Sequence, residues 1–150
     1  MPRVHFELET SLSPEAVVRA LTDFSPHRAE VWRNIDAQHF QIHDQGPDWA
    51  EVTEGNALAG GIWERNRYQW AKEPGRVTIT TLDSNVWTPG DGWDYRAAKS
   101  PVTGKTTVTV DVRHRAHSPK GVLIALVLRV AGARMLREDL RRVLSPLERS

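Results

Sequence analysis

GVLIALVLRVAGARMLREDLRRVLSPL, residues 121 to 147, is the stretch that decides the fold. Leu126, Val130, Ala133, Leu136, Leu140, Val143 and Leu147 recur at steps of three and four, which places them in one continuous stripe on a helix. At ~1.5 Å per residue that helix is roughly 40 Å long, enough to cross a small domain. Its first half is apolar on two adjacent stripes, the second being Leu123, Val127, Ala131 and Met135; its second half narrows to one stripe with charge around it. The first half is therefore wide enough to serve as a wall on more than one side.

Upstream of the helix the period is mostly two. Val4, Phe6 and Leu8 alternate with His5, Glu7 and Glu9, the pattern of a strand with one buried face. Ser13, Pro14 and Glu15 open a helix with a capping side chain, a proline at its first position and a carboxylate at its positive end. A second short helix is expected over His27 to Ile35, burying Val31, Trp32 and Ile35. Then come strands at Phe40 to His43, Trp49 to Glu54, Ile62 to Trp70, Val77 to Leu82, Trp93 to Ala98 and Thr106 to Arg115. They are separated by Gln45-Gly46-Pro47-Asp48, a glycine-containing loop from Gly55 to Gly61, Lys72-Glu73-Pro74-Gly75, the loop Ser84 to Gly92, and Ser100 to Gly104. The order is strand, two helices, six strands, long helix. Short connections favour an antiparallel meander, and the last helix is the element long enough to cover its buried face.

A chain of 150 residues fits one domain, 1–150, and at this size roughly 70% of the unfolded surface is buried on folding. A net charge of +1 with 26% charged residues sets the chain apart from disordered and strongly nucleic-acid-seeking sequences, so no nucleic-acid partner is expected. The charge is uneven: Pro119 to the end carries seven Lys or Arg against three acids, leaving −3 on the rest. There is no cysteine, which removes disulfides and thiolate metal sites. The opening MPRVHFELE lacks the apolar core of a signal peptide, and the seven apolar residues Val122 to Leu128 fall far short of the ~20 of a membrane span. A cytoplasmic location without integral membrane association is expected.

Four phrases, VHFELETSLSPE (4–15), VWRNID (31–36), GIWERNRYQW (61–70) and LDSNVWTP (82–89), together with the element order, make the chain resemble the START/SRPBCC superfamily, and within it the bacterial polyketide cyclase/dehydrase-like branch. The resemblance covers essentially the whole chain. It implies an α+β helix-grip fold in which a curved antiparallel sheet of about seven strands wraps around the long C-terminal helix and leaves a hydrophobic cavity, which the first half of that helix is expected to line near Gly132 and the second half to seal. Members of that superfamily carry lipids or cyclise polyketides.

Alternation nominates the cavity residues. On Ile62 to Trp70 the set Ile62, Glu64, Asn66, Tyr68 and Trp70 shares the more apolar face, which puts polar groups where each needs a partner or a function. On the last strand Thr106, Val108, Val110, Val112 and His114 share a face, and His114 is a candidate for proton transfer. Glu64, Tyr68 and His114 are thus candidate acid/base groups, with structural pairing as the alternative for each. Trp32, Asn66, Trp70, Asn85, Trp87, Trp93, Tyr95 and Gly132 are candidate ligand contacts, and Ser84 to Gly92 reads as a mobile lid. His39 and His43 have helical metal spacing but sit around a strand with no third ligand, so no metal and no cofactor is expected. The glycines match no phosphate loop, and a Gly-x-Ser-x-Gly elbow is absent. The expected function is binding of a hydrophobic small molecule, lipid or polyketide-like, between sheet and last helix. The alternatives are a cyclase/aromatase using Glu64, Tyr68 or His114, and a membrane-surface or protein interaction module acting through the basic helix; oligomeric state is open.

Overall fold

The computed structural model describes residues 3–71 and 73–149. Strand β1 (Arg3–Thr10) leads to helix α1 (Pro14–Leu21) and the single helical turn α2 (Arg28–Val31). Six strands follow: β2 (Gln41–Gln45), β3 (Trp49–Asn56), β4 (Ile62–Gln69), β5 (Arg76–Ser84), β6 (Gly92–Lys99) and β7 (Thr106–Arg113). The chain ends in α3 (Pro119–Glu148). The seven strands form one antiparallel sheet in the order β1-β7-β6-β5-β4-β3-β2, and with the long helix this is the α+β helix-grip arrangement. The turn expected at Lys72 to Gly75 lies partly outside the described residues.

The caps behave as the sequence dictates. Ser13 Oγ accepts from the Ala16 amide at 3.1 Å and Ser118 Oγ from the Gly121 amide at 3.0 Å, each beside a proline at the first helical position. The second helix is shorter than its pattern suggests. It stops at Val31 because Trp32 turns extended (φ −93°, ψ 113°), while Arg28, not an apolar residue, is its buried member. The Arg28 guanidinium donates to the carbonyls of Leu21 and Asp23, which ties this turn to the end of α1.

The sheet's inner face is built from alternate residues in register. Val4, Phe6 and Leu8 of β1 face Val112, Val110 and Val108 of β7, which face Trp93, Tyr95 and Ala97 of β6. Farther across, Tyr68 pairs with Ile79 and Ala50 and Asn66 with Thr81 and Val52, and beyond a register shift between Arg65 and Asn66 against β5, Glu64 pairs with Ser84 and Glu54. The face is aliphatic at the β1 side and turns polar toward β3 and β4.

Helix α3 lies against β1 and α1. Its buried positions are Gly121, Gly132, Leu140, Val143 and Leu144. The second-half stripe thus packs inward at Leu140 and Val143, but the first-half stripe does not: Leu126 and Val130 are exposed, as are Leu123 and Val127 of the neighbouring stripe. The cavity expected near Gly132 is replaced by close packing, since a Cβ there would meet Val4 Cγ2 at 3.2 Å. Arg137 and Arg141 donate to the backbone carbonyls of Glu7 and Glu9, so the helix also covers hydrogen-bonding groups on the edge strand β1.

Candidate functional site

The polar end of the inner face holds a chain of buried side chains. Arg28, 2% exposed, reaches Glu54 through Nε at 2.9 Å and through Nη2 at 2.8 Å, and Nη2 donates to the Tyr68 hydroxyl at 2.6 Å. That hydroxyl donates in turn to the Glu54 carboxylate at 2.8 Å. The guanidinium sits among the rings of Phe24, Trp32 and Tyr68, with centroids 4.8, 5.7 and 5.2 Å away. A buried cation is tolerable here because its charge is paired and its remaining donors reach carbonyls. The Tyr68 hydroxyl is held well above its ordinary range, chiefly by burial.

Next along the same face stand Asn66 and Glu64. Asn66 Nδ2 donates to Glu64 Oε2 at 3.1 Å and approaches Glu54 Oε2 at 3.5 Å. Glu64 lies directly across from Glu54 in the β3–β4 ladder, so two carboxyls share one end of the sheet. Burial pushes Glu64 up to about 7, with the Glu54 charge adding to the effect and bonds from Asn66 and Trp87 opposing it. His114 follows, with Nε2 3.8 Å from Glu64 Oε1, too far for a hydrogen bond. Its ring stacks on Trp87 at 4.5 Å and meets Trp93 edge-on at 6.1 Å, and burial holds it down at about 4. Near neutral pH the imidazole is therefore neutral and the Glu64 carboxyl divides between its two forms. Asn66 Oδ1 and His114 Nδ1 are buried with no hydrogen-bond partner among the described residues, against the rule that such atoms are satisfied.

A cavity of about 40 Å³ opens at this cluster. Its walls are Leu21, Arg28, Trp32, Asn34, Ile35, Glu54, Glu64, Asn66, Tyr68, Ile79, Trp93 and Tyr95, so it is bounded by the sheet and the α1–α2 region, not by α3. The space is room for ordered water and well short of the ~150 Å³ in which a benzene-sized molecule fits. On the other side of Arg28 and Trp32 lies a second depression of about 140 Å³, lined by Ala20, Val31, Val143, Pro146 and Leu147 among others. Arg28 and Trp32 border both.

Of the residues nominated by sequence, Trp32, Glu64, Asn66, Tyr68, Trp93 and Tyr95 come together around the cavity. His114 and Trp87 stand behind Glu64 rather than on the wall. Trp70 packs on Phe24 at 6.2 Å. Asn85 serves the fold, accepting from the Trp63 amide and donating to the Gly61 carbonyl, and Gly132 lies against Val4. The segment read as a mobile lid is fastened: Val86 and Trp87 are buried, Ser84 Oγ accepts from both their amides, and Thr88 N donates to Arg115 O. His39 bonds Asp36 and His43 bonds Thr53. Sequence reasoning missed Arg28 and Glu54, although both carried a signal. Glu54 continues the phase of Ala50 and Val52, and Arg28 lies three and four residues before Val31 and Trp32 on the face expected to be buried.

No protein-family model and no curated protein matches the sequence. Solved structures do match in shape. A START superfamily protein from Mycobacterium smegmatis superposes with a TM-score of 0.72 at 14% identity, over 99% of this chain and 98% of that one. The Zhui aromatase/cyclase from Streptomyces sp. R1128 gives 0.71 at 15% identity over 98% and 93%. Ara h 8.0201 gives 0.60 at 13% identity over 95% and 97%. The chain carries the helix-grip fold of these structures, and a START superfamily protein and an aromatase/cyclase are among those it resembles in shape.

Proposed function

We propose that this protein binds a compact, oxygenated, largely apolar molecule, closer to a polyketide-like ring than to a lipid chain, at the Glu64–Asn66–Tyr68 end of the sheet. The observation that carries the reading is the pairing of aromatic walls with polar groups that the fold does not use up. Trp32, Trp93 and Tyr95 offer flat contact area, Asn66 Oδ1 lacks a partner, and Glu64 is held near the pH at which it can donate as well as accept. The small interior volume favours a short ligand over an acyl chain, and a ligand of two rings requires Trp32 to move so that the interior joins the adjacent depression.

Tryptophan quenching tests this. Hydroxynaphthoquinones should quench saturably while long-chain fatty acids do not, and Glu64→Leu should weaken the quinones about 10-fold through one lost hydrogen bond. Equal response to fatty acids, or a Glu64→Leu variant with unchanged affinity, contradicts the proposal.

One observation favours a second reading, proton transfer of the cyclase/aromatase kind. Glu64, poised at about 7, stands near a neutral His114, an arrangement suited to taking a proton from a poly-ketone and returning it elsewhere. Glu64→Gln keeps a hydrogen-bond donor but cannot carry the proton. Binding should therefore survive in that variant while any turnover of a poly-ketone substrate falls by roughly 10²–10⁴-fold; undiminished turnover would remove this reading and leave the binding one.

A further inference from the structure

The outward face of the first half of α3 is apolar. Val122, Leu123, Leu126, Val127 and Val130 are 53%, 65%, 53%, 50% and 89% exposed. At 3.6 residues per turn these five lie within an arc of roughly 140°, opposite the buried Gly121 and Gly132. From Val122 to Ala133 only Arg129 is charged, so this half of the helix is apolar all round, a composition that belongs under cover on every side.

Three observations indicate what the cover is. Between Pro119 and Arg137 the helix carries Lys120, Arg129, Arg134 and Arg137 and no acid. Arg129 has no ion-pair partner among the described residues, and Arg134, 87% exposed, pairs only with Glu138 a turn further on. Across the groove beside Val122 and Leu126 stand two more cations, Arg3 and Arg115, paired with Asp111 and Asp91 respectively. A second copy would bring these like charges together. It would also rest on five aliphatic side chains, where a stable dimer engages roughly 20–30 residues a side. A convex helical face with aliphatic residues at its centre and cations at its margin suits a flat, anionic, non-directional surface instead.

We propose that the Val122–Val130 face of α3 lies in the plane of an anionic lipid bilayer, its aliphatic side chains below the headgroups and Arg129 with its neighbouring cations among the phosphates. No helix among the described residues is long and apolar enough to cross a membrane, so the contact is interfacial. It goes beyond the ligand-binding reading and does not depend on it, since the bilayer-facing residues and the cavity wall share no member.

Co-sedimentation of the full chain with phosphatidylcholine vesicles, with and without phosphatidylglycerol, tests the proposal. Retention should be about 10-fold stronger on the anionic vesicles and should weaken as salt is raised. Leu123→Gln/Val130→Gln changes two solvent-facing side chains, so its melting temperature should stay near wild type while retention falls about 10-fold. Arg129→Gln should reduce the preference for anionic vesicles several-fold with the aliphatic face intact. Equal retention by wild type and both variants overturns the proposal. So does a wild-type dimer, seen by light scattering, that Leu123→Gln/Val130→Gln breaks apart, since the face would then be a contact between copies.

Discussion

Glu64 and His114 place two opposed pH dependences at one end of the sheet. Glu64 is raised by folding from 4.5 to about 7, so the folded state holds its proton more tightly and stability falls as pH rises between those values. His114 is lowered from 6.5 to about 4, so stability is complete above 6.5 and is lost as pH falls toward 4. Each effect is on the order of 3 kcal/mol at most, and between about pH 4.5 and 6.5 they offset. Chemical denaturation across pH should therefore show a shallow profile for wild type. Glu64→Gln should unmask a stability that climbs from pH 4 to 6.5, and His114→Phe one that declines from 4.5 to 7; identical profiles in all three proteins would refute the assigned shifts. Arg28 makes a separate prediction. Arg28→Ala leaves the Glu54 carboxylate buried without its cation and should cost about 3–5 kcal/mol in urea melts, part of which Arg28→Met/Glu54→Gln recovers. Glu64, Asn66 and Tyr68 were legible from alternation on a single strand. Arg28 and Glu54 carry only the phase of their neighbours, and their burial depends on a pairing between residues 26 positions apart, which no local pattern reports.

Helix α3 shows where periodicity stops being informative. In its second half one narrow stripe stands out from charged neighbours, and Leu140 and Val143 are buried as that stripe requires. In the first half apolar residues occur at nearly every angle, so no period singles out an inner face; small residues decide it instead, with Gly121 and Gly132 allowing the helix to approach the Val86 carbonyl and Val4. Gly132→Leu should consequently act on stability, lowering it by about 1–3 kcal/mol through overpacking against Val4, while leaving ligand affinity unchanged. Thermal melts alongside fluorescence titration check this, and weakened uptake in a fully stable variant would return the helix to the cavity wall. Strands such as β1 and β7 needed no such arbitration, because buried and more exposed residues alternate along them, whereas the edge strand β2 is exposed throughout. Their ends extended or shrank by one or two residues where ladder partners continued or ran out.

At the scale of the molecule, the interior is closed more tightly than the resemblance implies. The sheet and the α1–α2 region enclose about 40 Å³, and the wall formed by Arg28 and Trp32 separates this from about 140 Å³ outside. No sequence pattern reports a volume, which is set by how side chains from distant elements meet. Trp32→Leu should join the two spaces and raise the affinity for two-ring ligands several-fold, at a cost in stability of the few kcal/mol typical of shortening a large buried side chain. Amide and indole NMR during titration with a hydroxynaphthoquinone distinguishes a ligand site at the polar end of the sheet from one on the long helix. Binding at the sheet should shift the Asn66 side-chain amide and the Trp32 and Trp93 indoles and leave the backbone of residues 122–130 unmoved. Shifts confined to 122–130, with Asn66 silent, would put the ligand on the helix and refute the site at Glu64, Asn66 and Tyr68.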